Sequence, residues 1–542
     1  MIIDEFKYRI RQALGLVPTA EQEHAIDVFS MFMTDRDDHV VMILRGSAGT
    51  GKTTLAGAIV RAMATLKQRM LLLAPTGRAA KVFSLNAGHP AYTIHRRIYR
   101  QKSAGDIIPD LRSPTRSLSS FNLNFNNNHD TLFIVDESSM IDNQGYGESS
   151  FGSGCLLDDL MQFVYSGQNC RLLLVGDKAQ LPPVGEDESP ALMPDVLRAY
   201  GMRVYECDLN QVLRQSADSG ILWNATQVRC MMADGGWSLP KIRFLGFPDI
   251  VRVPGDELIE SLATSYSRAG MDETMVITRS NKRANIYNQG IRNTVLDRED
   301  ELCRGDQIMI VKNNYYWVRD TPAPSPSPKG GGEGSTQMYS TPLSGEGSTQ
   351  KFSTPLSGEG STQMYSPPLS GEGSGVGSPT FLANGDIAVV QRVRNVHELF
   401  GFRFAEVTMT LPDYDDYEFT AMVVLDSLTT EAPSLTREQQ EQLYNAVMED
   451  YADIPTKPER IKKLKDDKYY NALQIKYAYA VTCHKAQGGQ WAHVYVDQGY
   501  MTDDMLTPDY IHWLYTAFTR ATERLYLVNW PKTQIDKTDE ND

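Results

Sequence analysis

Through the first 215 residues, short apolar runs recur between longer stretches of mixed polarity. The runs Val40–Leu44, Met70–Ala74, Leu132–Val135 and Arg171–Val175 lack the alternation of a half-exposed strand, so they read as strands covered on both faces. Crossover helices fit between them, and the pattern predicts a parallel α/β sheet. From about 96 to 130 the pattern gives way to Ser, Asn, Arg and Pro with isolated Phe121 and Phe125, an insertion projecting from that sheet. A second α/β region runs from about 216 to 300, with a strand at Thr274–Thr278, and resumes at about 471 to 530 with Tyr477–Thr482, His493–Val496 and Arg524–Val528. Between its two parts the short runs Gln307–Val311, Asp386–Val393 and Ala405–Met409 predict a small inserted barrel.

One segment follows neither period. From Gly332 to Ser370 a 13-residue unit beginning Gly-Glu-Gly-Ser-Thr-Gln occurs three times, and a fourth copy starts at Gly371. Sequence so rich in Gly, Ser, Thr and Pro cannot bury enough apolar surface to offset the cost of ordering, so disorder is expected over 320–380. A long surface insertion costs little closure entropy, which favours a tolerated loop expansion. A tether for a protein partner through 332–373 is the sharper alternative.

Composition narrows the class. A chain of 542 residues, 41% hydrophobic, has room for three to four domains with real cores. The net charge of −15 argues against coating nucleic acid by bulk attraction, though a shaped channel with modest local charge stays open. The six cysteines are scattered, without Cys-x-x-Cys or zinc spacing, and read as reduced. No 18-residue apolar window occurs and the start lacks a leader pattern, so a cytoplasmic protein without membrane attachment is expected.

Directly after Val40–Leu44 comes Gly46-Ser47-Ala48-Gly49-Thr50-Gly51-Lys52-Thr53, followed by Thr54 and a helical stretch to about Leu66. This strand, glycine-rich turn and helix form a phosphate-binding loop. Backbone N–H groups wrap the phosphates, Lys52 reaches the β and γ phosphates, and the Thr53 hydroxyl suits Mg²⁺. Phe133-Ile134-Val135 ends in Asp136-Glu137, which offers one carboxylate for Mg²⁺ and one to orient or deprotonate the attacking water. A third run, Leu172–Val175, leads to Gly176-Asp177-Lys178-Ala179-Gln180-Leu181-Pro182-Pro183-Val184, where Gln180 can sense the γ-phosphate.

Asp-Glu-Ser-Ser-Met and Gly-Asp-x-x-Gln-Leu-Pro-Pro-Val together resemble motifs II and III of superfamily 1B DNA helicases, in the RecD-like and phage Dda-like branch. Pro18–Gln22 resembles the Q motif, in which Gln22 would read the adenine edge. Ala74–Lys81 resembles motif Ia and Thr93-Ile94-His95 the Thr-x-His element that follows it. Gln211–Gln215 matches the position of an arginine finger, Val481–Gly488 resembles motif V, and Tyr515–Ala521 resembles motif VI.

The resemblance implies two RecA-like domains, 1–215 and 216–303 with 471–542. It also implies a pin insertion at 96–130 and an SH3-like domain over 304–470. Lys52, Glu137, Gln180, Arg214 and Arg520 would be catalytic, with ATP and Mg²⁺ as cofactors and Thr53 and Asp136 as metal ligands. Thr76, Arg78, Thr93, His95, Thr482, His484 and Lys485 would face single-stranded DNA. Phe121 and Phe125 are weaker DNA candidates than local core residues. Ala486 stands where relatives usually have Ser, and Gln22 lies too near the start for the long extension of some relatives.

These features imply a monomeric, ATP-dependent DNA helicase acting on single strands and duplex junctions. The 5′ to 3′ direction comes from the branch alone. An RNA-stimulated helicase of the same superfamily and a non-unwinding, ATP-switched binding module are the alternatives. Whether the cellular task is DNA repair, recombination or another is not written in the residues.

Overall fold

The computed structural model describes residues 2–101, 121–144, 152–212, 218–234, 238–318, 382–502 and 505–536. Arg214, the repeat and most of the 96–130 insertion lie outside them.

The first region contains β1 (Val40–Gly46), β2 (Arg69–Ala74), β3 (Ala91–Thr93), β4 (Tyr99–Gln101), β5 (Phe121–Leu123), β6 (Thr131–Val135), β7 (Arg171–Gly176) and β8 (Arg203–Leu209). Six of them form one parallel sheet in the order β3-β2-β6-β7-β1-β8. Successive side chains of a strand point to opposite faces, and both faces are covered here. Val40, Met42 and Leu44 of β1 join the core that holds Phe29, Leu55 and Phe83, while Val41 and Ile43 join the one that holds Phe133, Leu160 and Phe163.

β4 and β5 pair antiparallel beside this sheet as a short ribbon. Phe121, opposite Gln101 in the ribbon, is buried, with its ring centroid 4.0 Å from that of Tyr315. Phe125 is 73% exposed, so the expectation of a local core residue fails there: the chain has left the ribbon, and only the Arg100 guanidinium lies over its ring among the described cations.

A second parallel sheet runs β16-β10-β17-β18-β9, from β9 (Ile250–Val253), β10 (Thr274–Thr278), β16 (Ala480–Thr482), β17 (Trp491–Asp497) and β18 (Ala521–Val528). Between its halves β11 (Gln307–Ile310), β12 (Ile387–Leu399), β13 (Phe402–Leu411), β14 (Tyr417–Val424) and β15 (Leu473–Tyr477) close a barrel. Its interior, with Ile308, Val390, Val407 and Ile475, is continuous with Val276, Tyr495 and Val528 on one face of the second sheet.

The barrel therefore extends past 470. The run expected as one strand, Tyr477–Thr482, is two: Tyr477 ends β15, which pairs with β11 and β14, and the second sheet resumes only at Ala480. Asn288 makes the break. Its Nδ2 donates to the carbonyls of Tyr477 and Ala480 and its Oδ1 accepts the Ala480 N–H, satisfying backbone groups where the chain crosses from barrel to sheet.

Candidate nucleotide and nucleic-acid cleft

Strand order sets the site. β6, β7 and β1 are neighbours, with Val135 level with Leu174 and Leu44 level with Val175, so Gly46, Asp136 and Gly176 emerge along one edge. After β1 the chain turns through Gly49 (φ 77°) and Gly51 (φ 76°), left-handed conformations that a side chain would strain. The helix Lys52–Thr65 then starts two residues earlier than the sequence pattern suggested, with its N-terminus at the loop.

Thr53, Thr54, Asp136 and Glu137 line a cavity of about 320 Å³ together with Gly488 and Gln490 from the second region. Asp136 is buried, and its Oδ1 accepts the Glu137 N–H at 2.9 Å. Burial first and the Glu137 carboxylate second push its pKa up to about 6, against the pull of Lys52. Glu137 sits at φ 52°, a costly backbone for a non-glycine residue. Among the described residues, its Oε2 and the Oε1 of Gln180 are buried without hydrogen-bond partners. Orphaned acceptors beside a phosphate-binding loop fit hydrated Mg²⁺ and an attacking water better than they fit a closed core.

Gln22 is only 4% exposed. Its Oε1 accepts the Thr19 N–H in a capping box, and its Nε2 donates to the Thr50 carbonyl at 3.2 Å, which ties it to the loop.

The second region closes on the loop through residues to which sequence reasoning gave no role. The Tyr515 hydroxyl donates to Asp177 Oδ2 at 2.6 Å and accepts the Ala48 N–H at 2.8 Å. Thr516 Oγ1 accepts the Leu181 N–H, and Gln487 Nε2 donates to the Leu181 carbonyl. Arg229 donates to Ser47 Oγ. Tyr515 and Thr516 were visible as part of the motif VI likeness, while Arg229 carries no local pattern. Arg520, expected at the phosphates, is buried and donates to the carbonyls of Gly489 and Thr516 and to Thr519 Oγ1.

The expected DNA residues fall into two groups. Thr76 caps the helix Gly77–Ala87, its Oγ1 accepting the Ala79 N–H at 3.2 Å, and lies against motif V, where a Cβ added at Gly488 would come within 3.0 Å of that hydroxyl. Arg78 lies over the Trp491 ring, 4.5 Å from its centroid, and donates to the Gln490 carbonyl. Thr482 and Lys485 line a small cleft with Asn281, Asn285 and Lys476. Desolvation pulls the pKa of Lys485 down to about 8, and that of Lys476 likewise. His484 is exposed.

Thr93 and His95 stand apart, at the start of the helix Ile94–Ile98. Thr93 caps that helix, and burial lowers the His95 imidazole to about 4, so it is neutral near pH 7. The barrel props the helix that Thr76 caps: Lys81 donates to the Pro412 carbonyl, and a Cβ added at Gly77 would clash with the Tyr414 hydroxyl at 2.6 Å. No helix among the described residues is long and apolar enough to cross a membrane.

Residues 19–232 match the AAA domain family, and residues 477–528 match the UvrD-like helicase C-terminal domain family. The chain is 25% identical to the ATP-dependent DNA helicase dda of Enterobacteria phage T4 over 310 residues, which is 54% of this chain and 60% of that protein. It is 31% identical to the ATP-dependent RecD2 DNA helicase of Deinococcus radiodurans over 189 residues, 34% of this chain and 21% of that one. The alignments span less than two thirds of either relative's length. Among solved structures, a Pif1 helicase from Bacteroides in complex with ADP-AlF3 and single-stranded DNA aligns over 96% of this chain and 95% of that chain, with a TM-score of 0.42 and 13% identity.

Proposed function

Because this chain is a superfamily 1 helicase of the Dda and RecD type, we propose that it is an ATP-driven motor that moves 5′ to 3′ along single-stranded DNA and opens duplex ahead of it. The observation that carries the reading is the cluster at the edge of the first sheet. Thr53, Asp136 and Glu137 line one cavity, and acceptor oxygens of Glu137 and of Gln180, which follows the neighbouring strand β7, are buried without hydrogen-bond partners among the described residues.

Each residue is assigned a role in this reading. Lys52 holds the β and γ phosphates, and Gln22, fixed to the loop through Thr50, reads the adenine edge with its remaining amide hydrogen. Thr53 and Asp136 would hold Mg²⁺, which when bound neutralises charge on the phosphate oxygens. Glu137 orients the attacking water and accepts its proton, and Gln180 distinguishes an occupied γ position from an empty one. Arg520, at the end of the helix whose Tyr515 already touches the loop, would supply positive charge from the facing domain, and Arg214 the charge of the arginine finger that its motif resembles. Closing and opening that interface moves Thr482, His484 and Lys485 relative to Thr76, Arg78, Thr93 and His95, so a strand gripped by both groups is passed along.

Duplexes with a 5′ or a 3′ single-stranded tail test this, with Lys52→Ala as control. The expected result is ATP-dependent opening from 5′ tails only. Opening from 3′ tails alone sinks the direction, and opening that survives in Lys52→Ala sinks the motor. ATPase stimulation by single-stranded RNA alone would reassign the substrate.

A further inference from the structure

We propose that Arg229 is a positioning residue of the ATP site, a clamp that the second domain places on the phosphate-binding loop through Ser47. The inference rests on the ATPase reading above.

Arg229 lies on the helix Gly220–Asp234. Ile221, Ala225 and Val228 of that helix pack with Ile277, Val494 and Leu525, so it belongs to the second sheet's core. Its Leu222 and Arg229 are seven residues apart, about two helical turns, and share a different face. That face lies on the loop: a Cβ added at Gly49 would be 3.3 Å from the Leu222 methyls. Arg229 Nη1 donates to Ser47 Oγ, and Nη2 points to the Asn210 carbonyl at 3.5 Å. Asn210 is itself held, its N–H donating to Glu21 Oε2 at 2.7 Å.

One planar guanidinium thus spans the loop and the chain leaving β8. A lysine ammonium, a single point of charge, cannot span both partners in the same way. The Arg229–Ser47 bond crosses from the second domain to the first, so it exists only while the cleft is closed. It favours the closed cleft around ATP and is lost when the cleft opens. Arg520 differs in kind, since among the described residues its hydrogen bonds run to Gly489, Thr516 and Thr519 on its own side.

The test is steady-state ATPase of the full chain with saturating single-stranded DNA, for Arg229→Ala, Arg229→Lys, Ser47→Ala and the Arg229→Ala/Ser47→Ala pair. Removing either partner should raise KM for ATP roughly tenfold while kcat changes by less than about threefold, and the pair should be no worse than Arg229→Ala alone, as coupled contacts require. Arg229→Lys should not rescue. Losses that multiply in the pair, a lysine variant equal to wild type, or a lowered Tm with KM unchanged would overturn the proposal. Should Arg229→Ala fold poorly, Ser47→Ala carries the same prediction from the loop side, and an unchanged KM there is equally fatal. Lys52→Ala separates the two levels: if it keeps ATPase activity the underlying reading fails, and if it is dead while Arg229→Ala and Ser47→Ala are normal only the clamp fails.

Discussion

The proposed nucleotide half and the proposed nucleic-acid half of the cleft use similar side chains in opposite conditions. On the nucleotide side, Glu137 Oε2 and Gln180 Oε1 are buried with nothing to bond among the described residues, and Glu137 is held at a left-handed backbone angle. On the other side the hydroxyls of Thr76 and Thr93 already cap helices, and Arg78 already lies on Trp491. The first arrangement spends stability to keep groups available. The second uses the same groups for stability and offers a ligand the helix N-termini they cap. Substitutions should therefore separate chemistry from stability in the nucleotide half and confound the two in the other.

The largest expected effect is at Glu137. Glu137→Gln keeps the shape and removes the base, so DNA-stimulated kcat should fall by about 10² to 10⁴. The midpoint of thermal unfolding should not fall, because the orphaned carboxylate oxygen contributes nothing to the fold. An equal loss of Tm and kcat would erase the contrast between the halves.

The next effect belongs to the lysines of the proposed nucleic-acid half. Desolvation lowers Lys485 to about 8, so it sheds its proton just above neutral pH, and a bound phosphate would pull the proton back. For a cation the sign is clear: affinity for single-stranded DNA is full below about pH 8 and falls as pH rises through it. Between pH 7 and pH 9 the dissociation constant should rise about tenfold if the bound lysine stays charged. Lys485→Arg, which stays charged, should flatten the profile. Fluorescence anisotropy with a labelled oligonucleotide measures both, and a flat profile in the native chain would remove Lys485 from the contact set.

What was legible in the sequence follows the same division. Lys52, Asp136, Glu137 and Gln180 stand one to six residues beyond buried strands, so apolar runs and local motifs were enough to mark them as candidates. The strand pattern likewise located both sheets, because strands covered on both faces must be apolar throughout. Arg229 and Tyr515 were not legible as loop contacts. They reach Ser47 and Ala48 across 182 and 467 residues, and a single hydrogen bond at that separation leaves no local period. The division of Tyr477–Thr482 between barrel and sheet was hidden for the same reason, since its cause, Asn288, sits on a distant helix. Arg78 was legible as a residue near the cleft but not as the partner of Trp491, a contact between two domains.

The smallest effect discriminates best between the two halves. Thr76→Ala removes the hydroxyl that accepts the Ala79 N–H, which should cost about 1 kcal/mol of stability. It also frays the helix start that faces motif V, so DNA affinity should fall with stability. Thr76→Ser keeps the hydroxyl and the cap while deleting only a methyl group, and should stay close to wild type in both. If Thr76→Ala lost affinity at unchanged stability, the hydroxyl would be bonding DNA rather than the helix, and the nucleic-acid side would be built like the nucleotide side. Chemical denaturation and anisotropy on the same protein samples decide it, because the capping geometry requires the two losses to move together.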